Sequence, residues 1–294
     1  MFVFKVYMKY LPHMRGITKS ADLAFLPLTP EMRILWTEFT RQTGYGPARE
    51  ADYIEKFYEW YNKIEDKRKT FVDSIHSGKD VYRDEGLHPR LRRKIESIED
   101  GRFIIEFGCG TGETVLPYLK PNQWYIGIDT SRFSLEYASQ TYGIPIAADT
   151  EQEEIPKKYL QFGALPDAIP LPLVKWFDEA VASMVLHHVA DCNASIRSMM
   201  RLLLPGANYF IATFNSDARP EIDELFGVVK QRDETKTVGD FNLPQGKLPD
   251  ETIYFHDNQA LHNELQKHSD FVHAEECMGI LQIFEGIKRN NARK

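Results

Sequence analysis

Residues 102–129 read RFIIEFGCGTGETVLPYLKPNQWYIGID, and their order decides the fold. Phe103 to Phe107 is a short apolar run closed by Gly108, the signature of a buried strand. Glycines at 108, 110 and 112 let the backbone turn sharply out of that strand and leave room for a ligand against the main chain. Thr111 to Leu119 reads as a helix that Pro117 shortens or kinks. Trp124 to Asp129 is a second strand. Asp129 falls 21 residues after Gly108, where a carboxylate can accept hydrogen bonds from ribose hydroxyls.

Downstream the alternation continues. Ser131 to Tyr142 is expected as a helix, 143–156 as a polar insertion, and 158–163 and 177–186 as strands. A helix over 194–204 stops at Pro205-Gly206, and 208–215 is a fifth strand. Helices are expected near 219–231 and 257–269, with a loop over 231–256 between them. DFVHAEEC (270–277) and GILQIFEGIKR (279–289) close the chain as a hairpin turning at Met278-Gly279. The sum is an α/β, doubly wound, mostly parallel seven-stranded sheet with a C-terminal antiparallel hairpin strand.

Upstream of Gly101 the pattern is helical and the composition changes. The 294 residues carry a net charge of −7, yet the first hundred hold 18 basic and 16 acidic side chains and 15 of the 36 aromatic residues. Met32, Leu35, Trp36 and Phe39 recur at helical spacing, as do Ile54, Phe57, Tyr58, Tyr61 and Ile64. A third helix opens at Pro89 with Leu91, Ile95 and Ile98. Residues 1–100 are therefore expected as a helical lid that serves substrate binding or dimerisation, over a ligand-binding domain at 101–294. The rings suit an aromatic or apolar small molecule, or a second copy of the chain. The Arg90, Arg92, Arg93, Lys94 cluster reads as the solvated side of the third helix, with Arg92 and Glu96 paired at i,i+4.

Net negative charge argues against a nucleic-acid partner with a broad basic face. Three cysteines (109, 192, 277) form no disulfide framework and show no metal-ligand spacing. No apolar run reaches the roughly 20 residues of a membrane helix, and MFVFKVYMKY lacks the parts of a signal peptide. A cytoplasmic location without membrane or metal is expected.

The glycine spacing, G-x-G-x-G after Glu106, differs from the dinucleotide fingerprint G-x-G-x-x-G. With YIGIDTS, GALPDAIPL, FDEAVASMVLHHV, LLLPGANYFIATF and the closing strand pair, it resembles the class I S-adenosylmethionine-dependent methyltransferases, in particular their small-molecule branch, over roughly 101–288. The resemblance implies a Rossmann-like fold and S-adenosyl-L-methionine as cofactor. It implies that Gly108, Cys109 and Gly110, followed by Gly112, line the methionine part. Glu106 would hold the loop or reach the amino group, Asp129 would hold the ribose, and Thr130 would lie beside the adenine. The family often has an acid four residues before a Leu-Pro that here reads Ile169-Pro170; Leu165 stands there instead. Backbone at Ala164 and Leu165, or Asp167 or Asp149, would then read the adenine. Ala182-Ser183-Met184 replaces the Asn-Pro-Pro-Tyr type sequence of the amino methyltransferases, with Ser183 on the cofactor side.

Methyl transfer to a hydroxyl or ammonium acceptor needs a base. His187 and His188 follow the fourth strand, at the sheet end that faces the ligand crevice, and the resemblance favours His188. Either ring could instead cap or underpin the next helix. His256 is expected as a surface loop residue. The competing readings are a tRNA or RNA methyltransferase, since some share a His-His at this place, and a relative that binds the cofactor without transferring methyl.

Overall fold

In the computed structural model of the chain, the described residues are 87–146, 156–163, 165, 176–218, 230–233, 236–243 and 246–290. Residues 1–86 of the lid expected over 1–100, most of the polar insertion, Ala164, Asp149, Asp167 and residues 219–229 of the helix expected over 219–231 lie outside them, and residues 230 and 231 of that helix stand in a strand instead.

The third helix of the sequence reading is α1 (Leu87–Ser97), which buries Leu87, Leu91 and Ile95 along one stripe. Each such side chain contributes about 1.5–3 kcal/mol relative to exposure. Its basic cluster divides: Arg92 pairs with Glu96 at 2.9 Å on the exposed side, while Arg90 and Lys94 reach Glu275 and Glu179. The strands are β1 (Phe103–Phe107), β2 (Trp124–Asp129), β3 (Lys158–Phe162), β4 (Phe177–Ser183) and β5 (Leu203–Phe214). Three more, β6 (Lys230–Asp233), β7 (Lys236–Leu243) and β8 (Gly246–Tyr254), precede β9 (Ser269–Cys277) and β10 (Leu281–Lys288). Helices α2 (Arg132–Tyr142), α3 (Cys192–Leu202) and α4 (Asn258–His268) lie between them.

The seven-stranded sheet has the order β3-β2-β1-β4-β5-β10-β9. Strands β1 to β5 are mutually parallel, and β10 runs antiparallel to both of its neighbours. Alternation along β1 sends Ile104 to a core shared with α1 and α2, and Ile105 and Phe107 to a core shared with α3 and α4. The helices start at side-chain caps: Ser131, Asp191 and Asp257 accept from the main chain three residues on. The last hairpin turns at Met278 and Gly279, both at positive φ.

Three sequence expectations change. The helix expected over 111–119 is a loop ending in one 3₁₀ turn, Leu116–Tyr118, because Pro117 carries no N–H to continue an α-helical ladder. The fifth strand begins at Leu203 rather than 208; the register shift opposite Phe177 and Glu179 absorbs Pro205 and Gly206. The loop expected over 231–256 is a three-stranded antiparallel sheet, β6-β7-β8. Its register breaks between Gly239 and Phe241, where Pro249 faces it, so the period-two pattern that signals strands is interrupted. No described helix is long and apolar enough to cross a membrane.

Candidate active site

The parallel strands point their carboxyl ends at one edge of the sheet. At the end of β1, Gly108 and Cys109 both donate main-chain N–H to Ile128 O, at 2.7 and 3.0 Å, which folds the loop over the end of β2. Gly108 has φ +66°, and a Cβ there would lie 2.6 Å from Val185 Cβ on the segment after β4. Close approach of the two strand ends thus depends on the missing side chain. Gly110 has φ +51° and open space where a Cβ would be. Gly112 packs against Leu116, and the Cys109 side chain is buried.

Gly110 donates its N–H to Asp129 Oδ2 at 2.8 Å, and Ser131 donates to Oδ1 at 2.7 Å. These two amides fix the carboxylate between the loop and α2. The cap of α2 is Ser131, which accepts from Ser134 N at 3.1 Å, so Asp129 is not consumed by capping. A carboxylate has about four acceptor positions, and this half-buried one keeps capacity for two hydroxyls. Thr130 beside it is half-buried, and Leu165 is buried. Ser183 ends β4 and pairs with Ala212 of β5.

Glu106 is fully buried on β1. It accepts the Tyr125 hydroxyl at 2.5 Å and the Thr114 hydroxyl at 2.8 Å. Of the two roles expected for it, holding the loop is the one these contacts perform. Burial pushes its carboxyl up to about 7. Tyr125 and Thr114 were not singled out in the sequence. The available signal was Gly127 in mid-strand, since a glycine inside a strand marks close approach: a Cβ there would meet the Tyr125 hydroxyl at 2.6 Å.

The histidine pair divides. After β4, Met184 sits at φ +57°, and a 3₁₀ turn covers Leu186–His188. His187 is 4% exposed, its ring centroid 4.4 Å from that of Phe214, and its Nδ1 has no hydrogen-bond partner among the described residues. Burial, reinforced by His188 and His256, holds its pKa well below the usual histidine range, so the ring is neutral. His187 therefore does not present itself to a reacting molecule. His188 is exposed, with its ring centroid 4.0 Å from that of His187. His256 is not a surface loop residue: its Nε2 lies 3.0 Å from Leu186 O and 2.9 Å from Val189 O. Two carbonyl acceptors require Nε2 to carry the proton, and the ring ties the turn that carries the pair.

At the end of β5, Asn215 accepts from Asn258 Nδ2 at 2.6 Å and from Asp217 N at 3.0 Å. Beside it a cavity of about 300 Å³ opens between Asp217, Glu276 and the Met278–Ile280 turn. A glycine-lined loop, a carboxylate held by two amides, an exposed histidine and a small cavity of mixed lining thus share one edge of the sheet.

A protein-family profile described as a methyltransferase domain matches residues 80–282. An O-methyltransferase from Pyrenophora dematioidea is 32% identical over 128 residues, 42% of this chain and 44% of that protein. The chain spans about half the length of the first curated relatives it matches. Among solved structures, the PH0226 protein from Pyrococcus horikoshii OT3 superposes with a TM-score of 0.53 at 14% identity, covering 70% of this chain and 90% of that one. An S-adenosylmethionine-dependent methyltransferase from Thermotoga maritima does so with a TM-score of 0.50 at 15% identity, covering 76% and 98%. At these identities the structural likeness is one of fold.

Proposed function

Because the chain belongs to the methyltransferase-domain family, the class I S-adenosylmethionine-dependent methyltransferases, we propose that it transfers a methyl group from S-adenosyl-L-methionine to an oxygen, nitrogen or carbon atom of a small molecule. The observation that carries this reading is the pairing of Gly110 with Asp129. Open space beside the glycine admits a ligand, and the carboxylate, aimed by two amides, offers acceptors for ribose hydroxyls.

Bound there, the cofactor would supply an electrophilic methyl on a sulfonium. The chain's own task is then to place an acceptor in line and to keep water out. Gly108, Cys109 and Gly110 form the backbone wall on the methionine side, and Leu165 and Thr130 flank the adenine side. His188, exposed beyond β4, takes the proton of a hydroxyl or ammonium acceptor. An acceptor that is already a neutral amine needs no base. Net charge −7 favours a metabolite over RNA as acceptor. A cytoplasmic setting suits the three described cysteines, which are all unpaired thiols.

The test is incubation with methyl-labelled S-adenosylmethionine, a metabolite extract and, separately, total tRNA. Label in a small molecule is the expected result. Label in tRNA would replace the acceptor class. Cofactor binding without transfer to either would leave a binding protein.

A further inference from the structure

Behind the glycine loop, one carboxyl ties three segments together. Glu106 of β1 receives the Tyr125 hydroxyl from β2 and the Thr114 hydroxyl from the turn after the glycines. The Gly127 hydrogen leaves room for the Tyr125 hydroxyl, and the Cys109 thiol packs against the same spot. The titratable neighbours that face this carboxyl are Tyr125, Cys109 and Asp129. Burial pushes the phenol and the thiol far up, so both stay protonated, and Asp129 adds negative charge. Among the described residues no lysine, arginine or histidine pairs with Glu106.

A buried carboxylate with hydroxyl donors but no cation is costly to ionise, so at neutral pH it is partly protonated. A positive ligand in the adjoining loop would favour the ionised form. Linkage then requires that binding and deprotonation assist one another.

We propose that Tyr125 and Thr114 are positioning residues for the glycine loop, acting through Glu106, and that a cationic adenosyl ligand binds this loop with release of the Glu106 proton to solvent. The inference rests on the cofactor reading above. It adds that the loop is held by hydroxyl donors whose grip is strongest when Glu106 is charged, since hydrogen bonds to an ionised acceptor are the stronger kind.

The probe is S-adenosylmethionine, whose sulfonium and α-ammonium outweigh its single carboxylate, titrated calorimetrically into the full chain between about pH 5.5 and 7.5 in buffers of different ionisation enthalpy. Over this window Kd should fall about tenfold, with net proton release. Glu106→Gln keeps an acceptor and a donor for the two hydroxyls; its Kd should be flat with pH and its proton release absent. Tyr125→Phe and Thr114→Val should each weaken binding about tenfold and move the midpoint of the pH profile upward, because the carboxylate loses a donor. Tyr209→Phe is the control. It removes another buried hydroxyl, bonded to Ser269 at 2.9 Å, and should lower the melting temperature without moving the profile.

A flat wild-type Kd without proton release overturns the linkage. Unchanged Kd and midpoint in Tyr125→Phe and Thr114→Val overturn the positioning role. Failure to bind at every pH overturns the cofactor reading and this inference with it. A ligand-free readout tells the two failures apart. The carboxyl is raised in the folded state, so wild-type stability should decline relative to Glu106→Gln as pH climbs from about 4.5 to about 7, and level off above. Parallel melting profiles would mean that Glu106 is not the titrating group.

Discussion

The two ends of the seven-stranded sheet are built on opposite terms. At the amino end, a cavity of about 360 Å³ is rimmed by charges that answer one another. Arg102 bonds Asp178 at 3.0 Å and Glu99 at 2.6 Å, Lys94 lies 3.5 Å from Glu179, and Asn208 donates to Glu179 at 2.6 Å. At the carboxyl end, among the described residues, Glu106 has no counter-ion and His187 Nδ1 has no partner, and Met184 holds a positive φ. Local rules are satisfied at the first end and broken at the second, where the proposed ligand would complete them.

If this contrast is functional, the largest effect should come from His188→Ala. Turnover on a hydroxyl or ammonium acceptor is expected to drop by about 10²–10⁴-fold, with S-adenosylhomocysteine affinity nearly unchanged. The pH–rate profile checks it: its rising limb should vanish in the variant. Unaltered rate and profile would leave positioning as the whole mechanism.

Next in size is Asp129→Ala. It removes the acceptor for Gly110 and Ser131 as well as that for a ribose, each charge-assisted bond being worth about 1.5–3 kcal/mol. Calorimetry should show affinity reduced by at least tenfold, and unchanged affinity would take Asp129 out of the site.

The glycines sharpen the comparison inside the carboxyl end itself. Gly108→Ala must push Val185 aside, an overpacking of about 1–3 kcal/mol, so melting temperature and binding should fall together. Gly110→Ala meets no atom of the described residues. It should carry only the left-handed backbone penalty of roughly 1–2 kcal/mol while still losing ligand. Equal melting and binding losses in both variants would show that the loop is not a ligand wall.

A smaller, pH-dependent effect is expected at His187. Its folded pKa is depressed, so protons bind the unfolded chain first, and stability is lost as pH falls through about 6.5. His187→Leu should flatten that acid-side loss in melting experiments between pH 5 and 7. An identical acid slope would mean that the ring is already solvated. The smallest effect belongs to the amino end, where Lys94→Ala, or Trp176→Ser at the exposed ring just before β4, should leave turnover unchanged. A drop in turnover there would break the contrast between the ends.

The same contrast explains what the sequence disclosed. The β1–loop–β2 unit and Asp129 were legible because glycine spacing and strand ends lie within one short window. The closing hairpin was legible from two alternating runs around Met278-Gly279. Residues 231–256 were not, because the irregularity at Gly239 and Pro249 breaks the alternation on which strand recognition depends. Nor was the Tyr125–Glu106 bond, which joins residues 19 apart through the direction of one hydroxyl. The His-His pair was legible as a pair, but which ring faces outward is decided by the turn that His256 holds from 67 to 70 residues away.

The placement of β10 also bears on how the chain is made. This strand inserts between β5 and β9, pairing from Leu281↔Phe214 to Ile287↔Asn208. During synthesis on a ribosome, the edge of β5 must therefore wait until more than 60 further residues have emerged. Until then Phe210, Ile211 and Thr213, all buried in the finished sheet, border a row of unpaired amides and carbonyls. The nascent chain passes through an interval in which a long strand with a buried apolar end is open to any other strand in the cell, and a message truncated before residue 281 would fix the protein in that interval.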